Sequence, residues 1–344
     1  MGTFVLMELC KQSGVKNVIY QLLAPNITIN LDEVEENRSY AVVIDKGIRY
    51  CLTGNPGIYD EEAPYVLLTD RTPTKQKLID NDIRQRKWIK HPNQIEASPD
   101  DVINSWENRF HFKLEENEEN PGLRRPQLGA LHALLSHMLA PKEAATVVLP
   151  TGTGKTETML SALVAGRCNR VLVTVPTNAL RGQLFNKFKT LGVLKTPKFE
   201  IVDKEALYPI VGMITSAFEG VDQLKSFIEQ CNVVITTMQI IDSAPEEQQN
   251  VYVSSFSNVF VDEAHHIVAT SWRKFSDRFP RHQLVQFTAT PFRNDGQRLD
   301  GKIIFNYPLR QAQKDGYYRT IHVLPVREYG EEAIADKAIA AKKA

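Results

Sequence analysis

The chain has 344 residues, and its 41 lysines and arginines balance 41 aspartates and glutamates. That length leaves room for two ordinary domains, each with its own core. The charge balance excludes a global pull toward nucleic acid or membrane, so any basic surface has to be local.

Residues 1–114 read as a separate accessory α+β region. Its clearest element is a hairpin, Tyr40–Ile44 and Ile48–Leu52 around Asp45-Lys46-Gly47. A segment rich in both charges, Lys75–Ile89, is expected to be helical. His91 and His111 are isolated, and nothing in the region forms a catalytic constellation. Val102–Leu114 carries Trp106, Phe110 and Phe112 on an expected helix that runs into an extended stretch. These aromatics either form a packing seam between domains or offer one ring to a nucleobase. Glu115–Asn120 (EENEEN) followed by Pro121-Gly122 reads as an acidic linker over 115–122.

From Leu123 the texture changes to alternating strands and helices, which implies a mostly parallel sheet with crossover helices. Residues 126–139 are expected to form an apolar-faced helix. Strands are expected at Ala145–Leu149, Arg170–Val175, Pro209–Ile214, Asn232–Thr236, Asn258–Val261 and Leu284–Phe287. Helices are expected at Thr156–Arg167, Asn178–Thr190, Val221–Gln230 and Trp272–Phe279. Most of these strands end in a polar motif, where ligands of open α/β sheets sit.

Two of those motifs carry chemistry. Thr146–Glu157 reads TVVLPTGTGKTE, an apolar run, a glycine-rich loop and a helix start. Backbone N–H groups of Thr151, Gly152, Thr153 and Gly154 can turn around phosphates, and the helix N-terminus adds partial positive charge. Lys155 can reach the β- and γ-phosphates of a nucleoside triphosphate and the Thr156 hydroxyl can ligate Mg²⁺; Lys155-Thr156 opens the helix, and Glu157 counts among the nucleotide-binding residues. The general P-loop pattern wants glycine where Leu149 stands, at the strand end and away from the phosphates. The second motif, Asn258–His265, ends in Asp262-Glu263-Ala264-His265, 107 residues beyond Lys155. Asp262 can sit near the Mg²⁺ held by Thr156, and Glu263 can polarise the attacking water.

Together these motifs resemble the first RecA-like lobe of a superfamily 2 helicase of the DEAD/DEAH type, in its restriction-enzyme-subunit and XPB-like branch. The likeness spans residues 123–293 and implies a RecA-like P-loop NTPase lobe over 123–326. It assigns further roles by analogy. Within Arg124-Arg125-Pro126-Gln127, Gln127 would read the adenine edge and Arg124 would lie at the nucleotide. Thr177 and Arg181, in Val175–Gln183, and Thr236, in Val234–Thr237, would contact a nucleic-acid strand. His265, with Thr288 and Thr290 of Phe287–Arg293, would couple the nucleotide site to that strand.

Motors of this kind hydrolyse ATP between two lobes, the second supplying an arginine finger. Fifty-four residues follow Thr290, too few for another α/β lobe. Gly301–Val326 resembles the strand-helix-strand that closes the first lobe, and 327–344 reads as a helical tail toward a missing second lobe, present in cis or in trans. The expected function is the ATP-binding lobe of a nucleic-acid-dependent ATPase, with DNA favoured over RNA. The alternative is an ATP-dependent clamp with little turnover alone, whose N-terminal region recruits a protein partner, within a restriction or phage-defence system. Four scattered cysteines, the lack of an apolar run near the roughly 20 residues of a membrane span, and no signal-peptide pattern favour a cytoplasmic protein.

Overall fold

The apolar runs read from the sequence become strands buried on both faces, as parallel sheets covered by crossover helices require. The computed structural model describes residues 2–94, 96–140, 142–263, 277–291 and 301–318. Before residue 100 the strands are β1 (Thr3–Leu6), β2 (Leu9–Ser13), β3 (Val18–Ala24), β4 (Ile27–Asn30), β5 (Glu33–Glu36), β6 (Tyr40–Asp45), β7 (Ile48–Thr53), β8 (Tyr65–Thr69) and β9 (Gln85–Lys90). The later strands are β10 (Ala145–Val148), β11 (Val171–Val175), β12 (Ile210–Met213), β13 (Val233–Thr237), β14 (Asn258–Asp262), β15 (Leu284–Thr288) and β16 (Lys302–Asn306). Helices α1 (Lys75–Ile79), α2 (Pro99–Ser105), α3 (Arg125–Leu139), α4 (Lys155–Ala165), α5 (Asn178–Thr190), α6 (Val221–Glu229), α7 (Met238–Ser243) and α8 (Glu246–Ser255) connect them. No helix among the described residues is long and apolar enough to cross a membrane.

The large sheet runs β16-β10-β15-β14-β11-β13-β12-β3-β2. From β16 to β12 every pairing is parallel. Each residue of Val171–Val175 and of Val233–Thr237 is buried. Helix α4 is enclosed from Thr158 to Val164, so the glycine loop before it is anchored to the core at both ends. Helix α5 is capped by Thr177, whose hydroxyl oxygen accepts from Leu180 N, and stops at Leu191 in the left-handed region before Gly192.

Three elements depart from the sequence expectations. Strands β2 and β3, assigned by sequence to a separate N-terminal region, extend the large sheet: β3 pairs antiparallel with β12, and β2 with β3. Helix α1 ends at Ile79, and Gln85–Lys90 is a strand antiparallel to β8. The buried Trp88 decides this, since its indole N–H donates to Met7 O at 3.1 Å and its ring closes a core with Phe4, Leu6 and Ile29. The acidic stretch 115–122 is a closed loop: Glu115 N donates to Leu123 O and Leu123 N to Lys113 O, both at 2.8 Å.

A five-stranded sheet, β5-β6-β7-β8-β9, contains the expected hairpin, and β1 pairs with β4. Residues 1–306 form one unit and 307–344 a second. In the second, a short helix spans Leu309–Lys314, and the Gln311 amide donates to Asp315 at 2.9 Å. His265, Phe292, Arg293, most of the helix expected over Trp272–Phe279, the closing strand expected after residue 318 and the tail 327–344 lie outside the described residues.

Candidate functional site

The parallel strands deliver their C-terminal loops to one edge, and the P-loop there closes a cavity of about 510 Å³. Gly152 and Gly154 adopt φ +83° and +97°. A Cβ on Gly154 would lie 1.8 Å from Gln127 Nε2, so only glycine fits this N-cap of α4. The Gln127 carbonyl accepts from Arg124 N at 2.7 Å, while the Arg124 guanidinium donates to Gly152 O at 2.8 Å. The start of α3 therefore braces the glycine loop from outside.

Arg124, Gln127, Thr151, Gly152, Gly154, Lys155, Thr156, Glu157, Asp262 and Glu263 all line this cavity. Thr153 does not. Its hydroxyl and its N–H both donate to Pro150 O, at 2.6 and 3.2 Å, so it supports the loop instead of facing the cavity. Glu157 pairs with Lys187 at 3.1 Å, tying α4 to α5.

At the enclosed end Lys155 Nζ lies 2.8 Å from Glu263 Oε1, with both side chains largely buried. Glu263 takes φ +50°, a left-handed conformation that costs an L residue about 1–2 kcal/mol. This turn just past β14 brings its carboxylate to Lys155. Asp262 is pushed up to about 6 by burial and then by the charge of Glu263, against the pull of Lys155. Its Oδ1 is buried without a hydrogen-bond partner among the described residues. A divalent cation fits such an oxygen, and the Thr156 hydroxyl shares the cavity.

The opposite wall is apolar: Leu123, Leu184, Val193, Leu194, Phe199 and Ile201. Phe199 is the aromatic ring of this cavity among the described residues. It sits in an irregular loop outside every motif, so no sequence pattern marked it. Of the aromatics considered from sequence, Trp106 is buried with its N–H on Leu207 O at 2.9 Å, a packing role. Phe112 stacks on His132 and meets Phe110 edge-on.

Thr288 lies one residue past the partner of Asp262 in the β14–β15 register, and its hydroxyl donates to Thr290 O at 2.7 Å. The nucleic-acid assignments fare differently. Thr177 is exposed as the cap of α5. Arg181 and Thr236 are buried, and both donate to Ile214 O, at 3.3 and 3.2 Å. Arg181 is 8% and Thr236 0% exposed, so neither side chain reaches the surface as expected.

Residues 120–293, half of the chain, match the family described as type III restriction enzyme, res subunit. The chain belongs to this family. The P-loop and the parallel strands β10 to β15 fall within the matched residues and form the RecA-like lobe of this res-subunit family, which is of the superfamily 2 helicase kind. Comparison with curated proteins gave no match. Among solved structures, the res-subunit chain is similar to UvsW of T4 at 15% identity, over 57% of this chain and 35% of that one, with a TM-score of 0.35. It is similar to a nuclease-deletion mutant of the type ISP restriction-modification enzyme LlaGI in complex with a DNA substrate mimic, at 21% identity, 64% and 22% coverage and a TM-score of 0.42. The Pyrococcus furiosus Hef helicase domain gives 18%, 47%, 32% and 0.32. The chain thus spans about a third or less of the length of these proteins.

Proposed function

We propose that this chain is the ATP-binding lobe of a nucleic-acid-dependent ATPase, a DEAH-type helicase or translocase that couples hydrolysis to movement on, or remodelling of, DNA. The convergence of Lys155, Asp262 and Glu263 at the enclosed end of the P-loop cavity carries the reading. Phosphoryl transfer needs positioned charge more than covalent chemistry, and these three groups supply it on one side of the phosphates. Lys155 leaves Glu263 for the β- and γ-phosphates when ATP enters, freeing the Glu263 carboxylate to orient the attacking water. Thr156 and Asp262 would hold Mg²⁺, which neutralises phosphate charge when bound. Phe199, Arg124 and the buried amide of Gln127 would hold the base on the apolar side of the cavity.

Thr288 and Thr290, with His265, link the nucleotide site to the DNA. The family description as a restriction enzyme favours DNA over RNA and a restriction or phage-defence setting. A second RecA-like lobe, in cis or in trans, supplies the arginine that completes the site, a contribution of about 10³–10⁵ in rate. The four unpaired cysteines suit a reducing, cytoplasmic location. The test is Mg²⁺-ATP hydrolysis with and without single-stranded DNA, duplex DNA and RNA. Slow turnover raised by DNA and lost in Glu263→Gln is expected, with ATP binding lost in Lys155→Ala. Absence of ATP binding to the unaltered chain would refute the assignment.

A further inference from the structure

The row of loops at the P-loop end of the large sheet does not stop at β12. Val18 pairs with Met213 and Gln21 with Ile210, so β3 begins where β12 ends. The β2–β3 turn, residues 14–17, therefore lies beside the loop that follows β12. The two are fastened together. Asn17 Oδ1 accepts from the N–H of Thr215 at 2.9 Å and of Ser216 at 3.1 Å, and its Nδ2 donates to Ser216 O at 3.1 Å. The Thr215 hydroxyl donates to Lys16 O at 2.7 Å. From the other flank, Arg181 and Thr236 hold Ile214 O. Gly14 closes the turn at φ +82°, where a Cβ would meet Asn17 O at 1.9 Å. A loop held from both sides has little conformational freedom left to lose on binding.

This edge carries two exposed side chains and, beside them, a half-buried ring, Phe218, which packs on the core tilted against Phe227 with ring centres 5.3 Å apart. Val15 is 97% exposed, and Lys16 beside it is exposed as well. Next to the turn is an open hollow of about 550 Å³, floored by Ile19, Phe218 and Phe227, with Asn17, Asp222 and Gln223 among its rim residues. We propose that the residue 14–17 turn and this hollow bind single-stranded DNA beyond the loops of the parallel strands, Lys16 meeting a phosphate and Phe218 the face of a base. The inference rests on the nucleic-acid reading given above. An aromatic floor accepts any base, because every base has a π-face. The Asp222 carboxylate repels phosphate from the hollow and can accept from a base amino group, while amide side chains serve either edge. Phosphate is thereby directed to Lys16 and the base to the hollow, with the exposed Val15 against sugar or base edge.

The test is fluorescence anisotropy of a labelled single-stranded DNA with the full chain over a range of salt concentrations. In Lys16→Ala the affinity falls and the slope of log K against log salt drops by about 0.7, one phosphate's share on a single strand. Lys16→Arg restores both. Phe218→Leu, which keeps an apolar floor but removes the ring, weakens binding about 5- to 100-fold with the slope unchanged, the range expected for one stacked base. Thermal melts check that Phe218→Leu folds; if it does not, the exposed Lys16 pair decides alone. Wild-type binding with affinity and slope unaltered in Lys16→Ala overturns the turn as a site and leaves the ATPase reading standing. Wild-type binding to RNA or duplex DNA but not to single-stranded DNA overturns the choice of ligand. No binding of the wild-type chain to any nucleic acid overturns this inference together with the reading beneath it.

Discussion

Replacing Gly154 with alanine would place a methyl carbon 1.8 Å from Gln127 Nε2 and 2.8 Å from Gln127 Cδ, at a backbone φ of +97°. The left-handed backbone alone costs about 1–2 kcal/mol. The methyl group also expels the Gln127 side chain, leaving the Arg124 N–H without the acceptor it now has at 2.7 Å, a further loss of about 1–3 kcal/mol. Gly154→Ala should therefore destabilise the chain by about 2–5 kcal/mol. Gln127→Ala alone, which removes the same acceptor without the collision, should cost about 1–3 kcal/mol. In the double variant the collision has nothing to strike, so its cost should fall short of the sum of the single changes by about 1–3 kcal/mol. Urea unfolding of the four proteins, compared as a double-mutant cycle, measures the difference. Costs that add within about 0.5 kcal/mol would show that Gly154 and Gln127 do not act on each other, and the bracing of the P-loop by α3 would be refuted.

Two further outcomes follow from the same geometry. Phe199→Ala should weaken ATP binding about tenfold or more, the worth of one stacked aromatic ring, while inorganic tripolyphosphate binds as before; equal loss for both ligands, by calorimetry, would place Phe199 away from the base. Lys195, whose ammonium donates to Ala206 O and lies 3.9 Å from the Tyr208 ring centre, is pushed down to about 8 by burial. Folded, it gives up its proton near pH 8, whereas the unfolded chain keeps it to about 10.5, so this group adds stability as pH rises through that window. Denaturation from pH 7 to 10 should show this gain as the difference between wild type and Lys195→Met, and parallel curves would contradict it.

The convergence of Lys155, Thr156, Asp262 and Glu263 on one cavity was legible because the signals are local. A β-branched run, a glycine loop and a helix start occupy twelve consecutive residues, and one further strand places Asp262 and Glu263. The parallel strands were legible to within a residue or two for a related reason, since burial on both faces removes polar interruptions. What escaped depends on distant partners. Gln85–Lys90 alternates around one tryptophan among charges, and only its pairing with β8 and the Met7 carbonyl makes it a strand. Phe199 enters the site because an irregular loop folds back on it. Arg181 and Thr236 looked like surface contacts because the motif names residue types, whereas both side chains turn inward to the Ile214 carbonyl.

The edge pairing of β3 with β12 also governs the order in which this fold can be completed. Residues 18–21 leave the ribosome about 190 positions ahead of their partners at 210–213. Until those arrive, the hairpin has no sheet to join, and closing so long a loop is a slow step that favours late docking. Without residues 1–24, β12 would become the rim of a parallel sheet, its unpaired N–H and C=O groups and apolar side chains open to another chain. A version of this lobe cut to begin at the helicase motifs would keep the P-loop and be prone to aggregate.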